Sequence, residues 1–318
     1  MKTHQNKEDL KNQIFLAEFY KLFLSHPLDL IGKGKELEEK RLIATEIENN
    51  WNKKEVKMLG ELPIFNTPKE FMKWYRKQLL TLNREISGFI NYITHQASLT
   101  DLAYYICMEE LVDGSFDDIM AMIQLGLDTR GKMCIAKNYW DEMGNGSYED
   151  IHTSMFKKSA SYMKGILEEN GIYLPKNPPI ECLMNGNSLL MWAHRRDYIF
   201  RIFGAAGLVE GSAPIRFNAT TKALERLNLP FDVIRYHKEH IEIDSRHSED
   251  LIKNLIEPYA LSTDLVLSEI AKGVLIRFRI SKNYYNFLEE SMRTGLKVNL
   301  FITKSIQGKM AYSCNSRP

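Results

Sequence analysis

Apolar residues recur at steps of three and four along most of the chain, the period of amphipathic helices. The first stripe runs over residues 8–25. A second stretch, 36–52, is rich in Glu, Lys and Leu and predicts an exposed helix. Leu62 to Pro68 reads as a loop, with Pro68 at a helix start where its missing N–H costs nothing. The helical period then holds over 69–93. Thr100 and Asp101 predict a cap for a helix over 101–112 that stops at Asp113-Gly114. Further helices are expected over 116–126, broken by Gly126 and Gly131, over 133–143, ended by Gly144-Asn145-Gly146, and over 149–169, ended by Asn170-Gly171. Pro175, Pro178 and Pro179 mark a loop between two halves. The second half predicts a long apolar helix over 187–210, a short one over 220–227 and a turn at Asn228-Leu229-Pro230. A polar helix carrying 236–249 and a last long helix over 263–290 follow. Gly204, Ala205, Ala206 and Gly207 predict close helix packing. The one strand-like piece, 298–303, is too short for a sheet, so the class expected is all-α. The chain reads as a single domain over 1–318: an N-terminal helical extension (1–67), a core (68–296) and a tail (297–318).

Composition narrows the options only slightly. With 318 residues, 44% hydrophobic and 26% charged, the chain has ordinary globular usage and enough material for a large core. A net charge of +1 gives no signal for nucleic acid or an acidic membrane surface. The N-terminus is polar, which predicts no secretory signal, and the run from Ile14 to Leu24 holds Glu18 and Lys21, too short and charged to span a bilayer. Cys107, Cys134, Cys182 and Cys314 are scattered without a C-x-x-C pair, which predicts a reduced, cytoplasmic protein.

The chemistry centres on 236–249, YHKEHIEIDSRHSE. His240, Asp244 and His247 are spaced H-x3-D-x2-H, which puts all three on one helical face. The rise from His240 to His247 is roughly 10 Å. That is long for one ion and suits two ions about 4 Å apart with the carboxylate between them. The competing reading is a solvated polar face, so other segments must supply further ligands; His237 reads as a bystander. Glu142, in NYWDEMGNG, and His152 are ten residues apart and share no face of a regular helix unless Gly144-Asn145-Gly146 bends the chain. Glu149 and His152 form E-x-x-H, the pair that ferritin-like di-iron bundles use, and spacing alone favours Glu149. Glu210 sits among small apolar residues, where an ionised carboxylate is expensive unless paired or metal-bound; its alternative is an exposed helix-terminal Glu. Of Glu109 and Glu110, one faces inward with Tyr105 and Val112. His194 reads as a satisfied histidine, and Arg195, Arg196 and Arg216 as substrate clamps or ion pairs.

Taken in order, NYWDEMGNG with a downstream His, then EGSAPIRF, then YHKEHIEIDSRH resemble the heme-oxygenase-like diiron oxidases and oxygenases, over roughly residues 70–290. The resemblance implies a heme-oxygenase-like helical bundle and a metal-ligand set of Glu142, His152, Glu210, His240, Asp244 and His247. It prefers Glu142 to Glu149, against the spacing. In the N-oxygenase branch an additional upstream Glu is recruited; Glu109 is the nearer match and Glu110 the alternative. The implied cofactors are two Fe(II) ions, with O2 as co-substrate and a peroxo-diferric intermediate. Imidazole and carboxylate without thiolate suit iron, and also manganese or zinc. Four carboxylates would balance two divalent ions, so metal binding and folding of 236–250 are expected to be coupled. Trp140, Tyr139, Phe200 and Phe203 are expected to wall the site from water.

The implied function is oxidation of a small amine or amino-acid-like substrate, by N-oxygenation. The alternatives are oxidative C–C cleavage or desaturation of an amino or fatty acid, and, in a different class, a non-catalytic metal-binding protein. The expected partners are a small-molecule substrate, an external electron donor and, over the polar N-terminal helices, a second copy of the chain. A heme protein would instead need an axial histidine facing a broad apolar slot, and the carboxylates would have no role in it.

Overall fold

The computed structural model describes residues 2–295, with side chains from Lys7 onward. The strand-like 298–303 and Cys314 lie outside the described residues. Within them all regular structure is helical, as expected. The first half comprises α1 (Lys2–Phe23), α2 (Gly34–Leu59), α3 (Pro68–Glu85), α4 (Ser87–His95), α5 (Leu99–Asp113), α6 (Phe116–Ile123), α7 (Thr129–Glu142) and α8 (His152–Glu169). After the proline loop come α9 (Ile180–His194), α10 (Ile199–Arg226), α11 (Phe231–Leu251), α12 (Glu257–Ala260) and α13 (Asp264–Arg293). A π-helical turn, Ile252–Ile256, joins α11 to α12 and was not expected.

Several boundaries differ from the sequence expectation for identifiable reasons. Ser98, not Thr100, caps α5: its hydroxyl accepts from Asp101 N–H while the Asp101 carboxylate accepts from Ser98 N–H. The expected 69–93 helix bends at Ile86, beside Ser87-Gly88, a pair that weakens a helix. The expected helix over 187–210 is broken at Arg195, whose backbone is extended and whose guanidinium is held by Glu48 and Asp197. Gly131 sits inside α7, one turn after the Asp128 cap.

α10 then runs from Ile199 through Pro214 to Arg226 and absorbs the expected 220–227 helix. Pro214 has no N–H to give the carbonyl of Glu210, so the helix loses one rung at that residue.

α10 is the axis of the bundle. It packs most extensively on α11 and α13, and also on α3, α4 and α9, while α5 packs on α8 and α8 on α11. The small residues do permit close approach: a Cβ on Gly204 would collide with the Ile270 carbonyl of α13. The N-terminal helices are part of this packing. α2 buries Glu48, Trp51, Asn52 and Glu55, so the exposed helix expected there is half-buried. Glu48 accepts from Tyr20 Oη (2.8 Å) and pairs with His194 (2.8 Å) and Arg195 (2.9 Å), which leaves His194 a satisfied core histidine. No helix among the described residues is long and apolar enough to cross a membrane.

Candidate metal centre

α11 begins after Pro230, with Asp232 in its first turn. Its buried residues include Val233, His237, His240, Asp244, His247 and Leu251, a stripe at steps of three and four. That stripe faces α8 and α10, so the polar H-x3-D-x2-H segment is a buried face.

Two other segments meet this stripe. α7 ends on Glu142, and α8 opens on His152. Between them Gly144, Asn145 and Gly146 all have positive φ (62°, 52° and 90°), which folds the chain back on itself. A Cβ on Gly144 would lie 2.6 Å from the Asp150 carbonyl oxygen, so only glycine fits. The bend brings His152 Nδ1 to 3.1 Å from Glu142 Oε2 across a separation that no straight helix could close. Glu149 is exposed in a 3-10 turn and belongs to no helix with His152, so the E-x-x-H spacing did not decide the geometry. Glu210 is supplied by α10. At Gly211, beside it, a Cβ would stand 2.9 Å from Ser248 Oγ of α11, a close approach that sets Glu210 against His247.

The result is two groups of buried side chains, Glu142–His152–His240 and Glu210–Asp244–His247. In each, one donor atom per residue lies within 4.8 Å of the others, close enough to hold a metal ion. All six implied ligands are in these groups. Glu109 is not: it is buried on α5 with its Oε2 2.5 Å from Arg216 Nη1, and Glu110 faces solvent. Arg216 is therefore held by the chain's own carboxylates, with Asp113 at 3.6 Å. Arg195 and Arg196 likewise serve internal contacts.

The chemistry of the donors fits metal binding. His240 Nδ1 donates to the Tyr236 carbonyl (2.7 Å), which leaves the Nε2 lone pair facing Glu142 Oε1 at 4.0 Å. His247 Nε2 donates to Asp141 Oδ2 (3.0 Å), while its Nδ1 faces Glu210 Oε2 at 3.7 Å and has no hydrogen-bond partner. Asn138 Nδ2 donates to Glu210 Oε1 at 3.0 Å. Burial, with Glu210 and Glu142 nearby, holds the Asp244 carboxyl well above the usual range. Burial, with His152 next, pulls His240 well down. For His247 burial works downward, but the carboxylates of Glu210 and Asp141 outweigh it and lift the imidazole to about 9. Each buried ion costs several kcal/mol without compensation, against a total stability of about 5–15 kcal/mol. Three carboxylates so close together therefore call for cations, and the donor set suits iron, manganese or zinc.

Asn138 and Asp141, hydrogen-bonded to Glu210 and His247, lie within the NYWDEMGNG motif but are not among the ligands it implies. Both lie on α7, and Asn138 precedes Glu142 by one helical turn, a spacing that places it on the same helical face. Asp141→Asn is expected to weaken metal binding by about 10–100-fold, as is usual when the carboxylate behind a ligating histidine is lost. Metal titration by calorimetry checks this; an unchanged affinity would contradict it.

The pH dependence has a definite sign. His247 binds its extra proton in the folded, metal-free chain, so that contribution to stability is full below about 6.5 and is lost as the pH rises through about 9. A metal must displace that proton. Affinity should therefore climb between about pH 6 and 8, by up to roughly tenfold per unit for each proton released. Calorimetry in buffers of differing ionisation enthalpy reads the proton count, and a flat affinity would contradict the assignment.

A small cavity adjoins the two groups, lined in part by Asp113, Phe116, Val209, Ala213, Phe217 and Tyr236. Apart from Asp113 these are apolar or aromatic side chains. Trp140 is 54% exposed, Phe200 and Phe203 pack with Tyr259, and none of the three, nor Tyr139, lines this cavity. His237 packs on Phe156 and Phe217 outside both groups, and burial with Arg216 nearby takes it down to about 3.

Fold and site together define an all-α bundle with two adjacent, buried histidine–carboxylate groups. The chain belongs to the family described as iron-containing redox enzymes, whose model matches residues 103–282. No curated protein matches it in sequence. Similar solved structures include a CADD-like protein of unknown function from Nostoc punctiforme, at 16% identity and TM-score 0.51, covering 70% of this chain and 99% of that one. Another is a domain of unknown function with a heme oxygenase-like fold from Shewanella denitrificans, at 11% identity and TM-score 0.54, covering 70% and 93%. These likenesses place the chain in the heme-oxygenase-like fold.

Proposed function

We propose that this chain is a non-heme diiron oxygenase that oxidises a small amine or amino-acid-like substrate, by placing oxygen on nitrogen. The observation that supports it most is the convergence of Glu142, His152 and His240 beside Glu210, Asp244 and His247, all buried. Glu142, His152 and His240 would hold one Fe(II) ion and Glu210, Asp244 and His247 the other, and the pair would offer dioxygen two electrons that an external donor would restore. The remaining tasks fall to the chain. The six side chains bind the ions, and the Tyr236 carbonyl and Asp141 fix which nitrogen of His240 and His247 points inward. Asn138 orients the Glu210 carboxylate. Phe116, Phe217 and Tyr236 keep water from the cavity, which strengthens every charge interaction inside it.

Anaerobic loading with Fe(II), followed by oxygen and a panel of amines and amino acids, tests this. The reading expects oxygen uptake that speeds up with one class of amine and a product that has gained an oxygen atom on nitrogen. A product that has lost two hydrogens, or a carbon fragment, would replace N-oxygenation with desaturation or C–C cleavage at the same site. An intense Soret band in the purified protein would contradict the non-heme reading altogether.

A further inference from the structure

We propose that an open cleft beside the metal centre, where α3, α10, α11 and α12 meet, binds an α-amino acid as its zwitterion and recognises both charges. That this amino acid is the substrate rests on the diiron reading above; the binding itself does not.

The cleft has a volume of about 690 Å³, the size of a small-molecule site. Its charged lining is of both signs: Arg76 and Lys253 are basic, Glu249 and Glu257 acidic. All four are exposed, and none forms an ion pair with another described residue. Opposite charges elsewhere on the surface do meet, as Lys137 with Asp250 and Lys238 with Glu225. Charges of both signs that line one cleft without meeting leave room for a ligand that carries both. Asn83 adds an acceptor from α3: its Oδ1 is buried, lines the same cleft and has no hydrogen-bond partner. Such a group calls for a donor, which an ammonium supplies. An amine alone would leave Arg76 and Lys253 unanswered, and a fatty acid would leave Glu249, Glu257 and Asn83 so.

The rest of the lining suits an apolar side chain. Leu79, Ile252 and Leu80, which is 68% exposed, would be covered by it. Ile252 and Lys253 open the π-helical turn after α11, and such turns frequently mark functional sites. The cleft also touches the metal centre. Gly211, which lines it, follows the ligand Glu210, and Ser248, which follows the ligand His247, packs on Gly211. A Cβ at 211 would stand 2.9 Å from Ser248 Oγ and 2.7 Å from Leu79 Cδ2. A ligand in the cleft therefore lies beside the Glu210–Asp244–His247 group.

The test is calorimetry on the full chain loaded with Mn(II), near neutral pH, with L-leucine, 3-methylbutylamine and 4-methylpentanoate as probes. The last two are leucine without its carboxylate and without its ammonium. Leucine should bind roughly tenfold tighter than either, the value of a hydrogen bond to a charged group. In Arg76→Gln with Lys253→Gln it should fall to the level of the amine, and in Glu249→Gln with Glu257→Gln to that of the carboxylate. Proton NMR reads the place: leucine signals should broaden with the Mn(II)-loaded chain and stay sharp with the Zn(II)-loaded one. Leucine that binds no tighter than its two fragments overturns the proposal, as does a preference that survives both double variants. Binding without broadening by Mn(II) also overturns it, because the ligand then sits away from the centre. The metal count of the unaltered chain, taken before any probe is added, tests the centre separately. A chain that holds two ions and shows no preference for the zwitterion overturns this proposal alone, and one that prefers leucine but holds no ions overturns the diiron reading alone.

Discussion

Asp244→Ala and His240→Ala are each expected to abolish two-metal occupancy in the Fe(II)-loaded chain, as read by metal analysis per folded molecule. Each removes one of three donors from its group, and His240 and Asp244 lie one helical turn apart on the face that serves both. The conservative change Asp244→Asn separates metal binding from folding. Asp244 is buried beside Glu210 and Glu142, and its carboxyl is held well above the usual range. A group raised in this way favours the fold fully below its unfolded value of about 4, and that favour is lost as the pH climbs through the raised value. Above that raised value the metal-free chain carries a destabilising charge, and there Asp244→Asn should raise its melting temperature by a few degrees. The same variant should lose the melting shift that metal gives the unaltered chain. Thermal melts with and without metal check both signs. If the metal-free variant melts lower and still responds fully to metal, Asp244 is an ordinary structural carboxylate.

Arg216→Met is the second large effect, and it is one of stability. The substitution leaves Glu109 and Asp113, 1% and 5% exposed, without their shared counter-charge. Removing one partner of a buried ion pair costs about 3–5 kcal/mol, a large fraction of what a domain has. Urea unfolding of the metal-free protein measures it. Adding Glu109→Gln to Arg216→Met should recover part of the loss, because one stranded charge goes with it. A loss under about 1 kcal/mol would mean that water reaches these carboxylates and that the wall is not dry.

How much of this was legible in the sequence depends on the range of the interaction that decides each feature. The H-x3-D-x2-H stripe was legible because one helix places all three side chains, and local spacing is enough. The helices were legible for the same reason, whereas their ends were not. The break at Arg195 depends on Glu48, far away in the chain, and the passage of α10 through Pro214 depends on packing around it. Glu142 and His152 could not be joined by spacing, because three consecutive positive φ values reverse the chain between them. The ordered motifs singled out Glu142 where local periodicity favoured Glu149. Arg216 read as a surface pair or a clamp, since its partners lie on α5, more than a hundred residues earlier. The expected wall of Trp140, Phe200 and Phe203 failed for a related reason: proximity in sequence to a ligand does not say which way a side chain faces.

The most direct measurement is an anomalous-difference map from a crystal loaded with Fe(II) or Mn(II) without oxygen. Two peaks about 4 Å apart are expected. One should lie among Glu142, His152 and His240, the other among Glu210, Asp244 and His247. A single peak, or peaks away from these six side chains, would contradict the account.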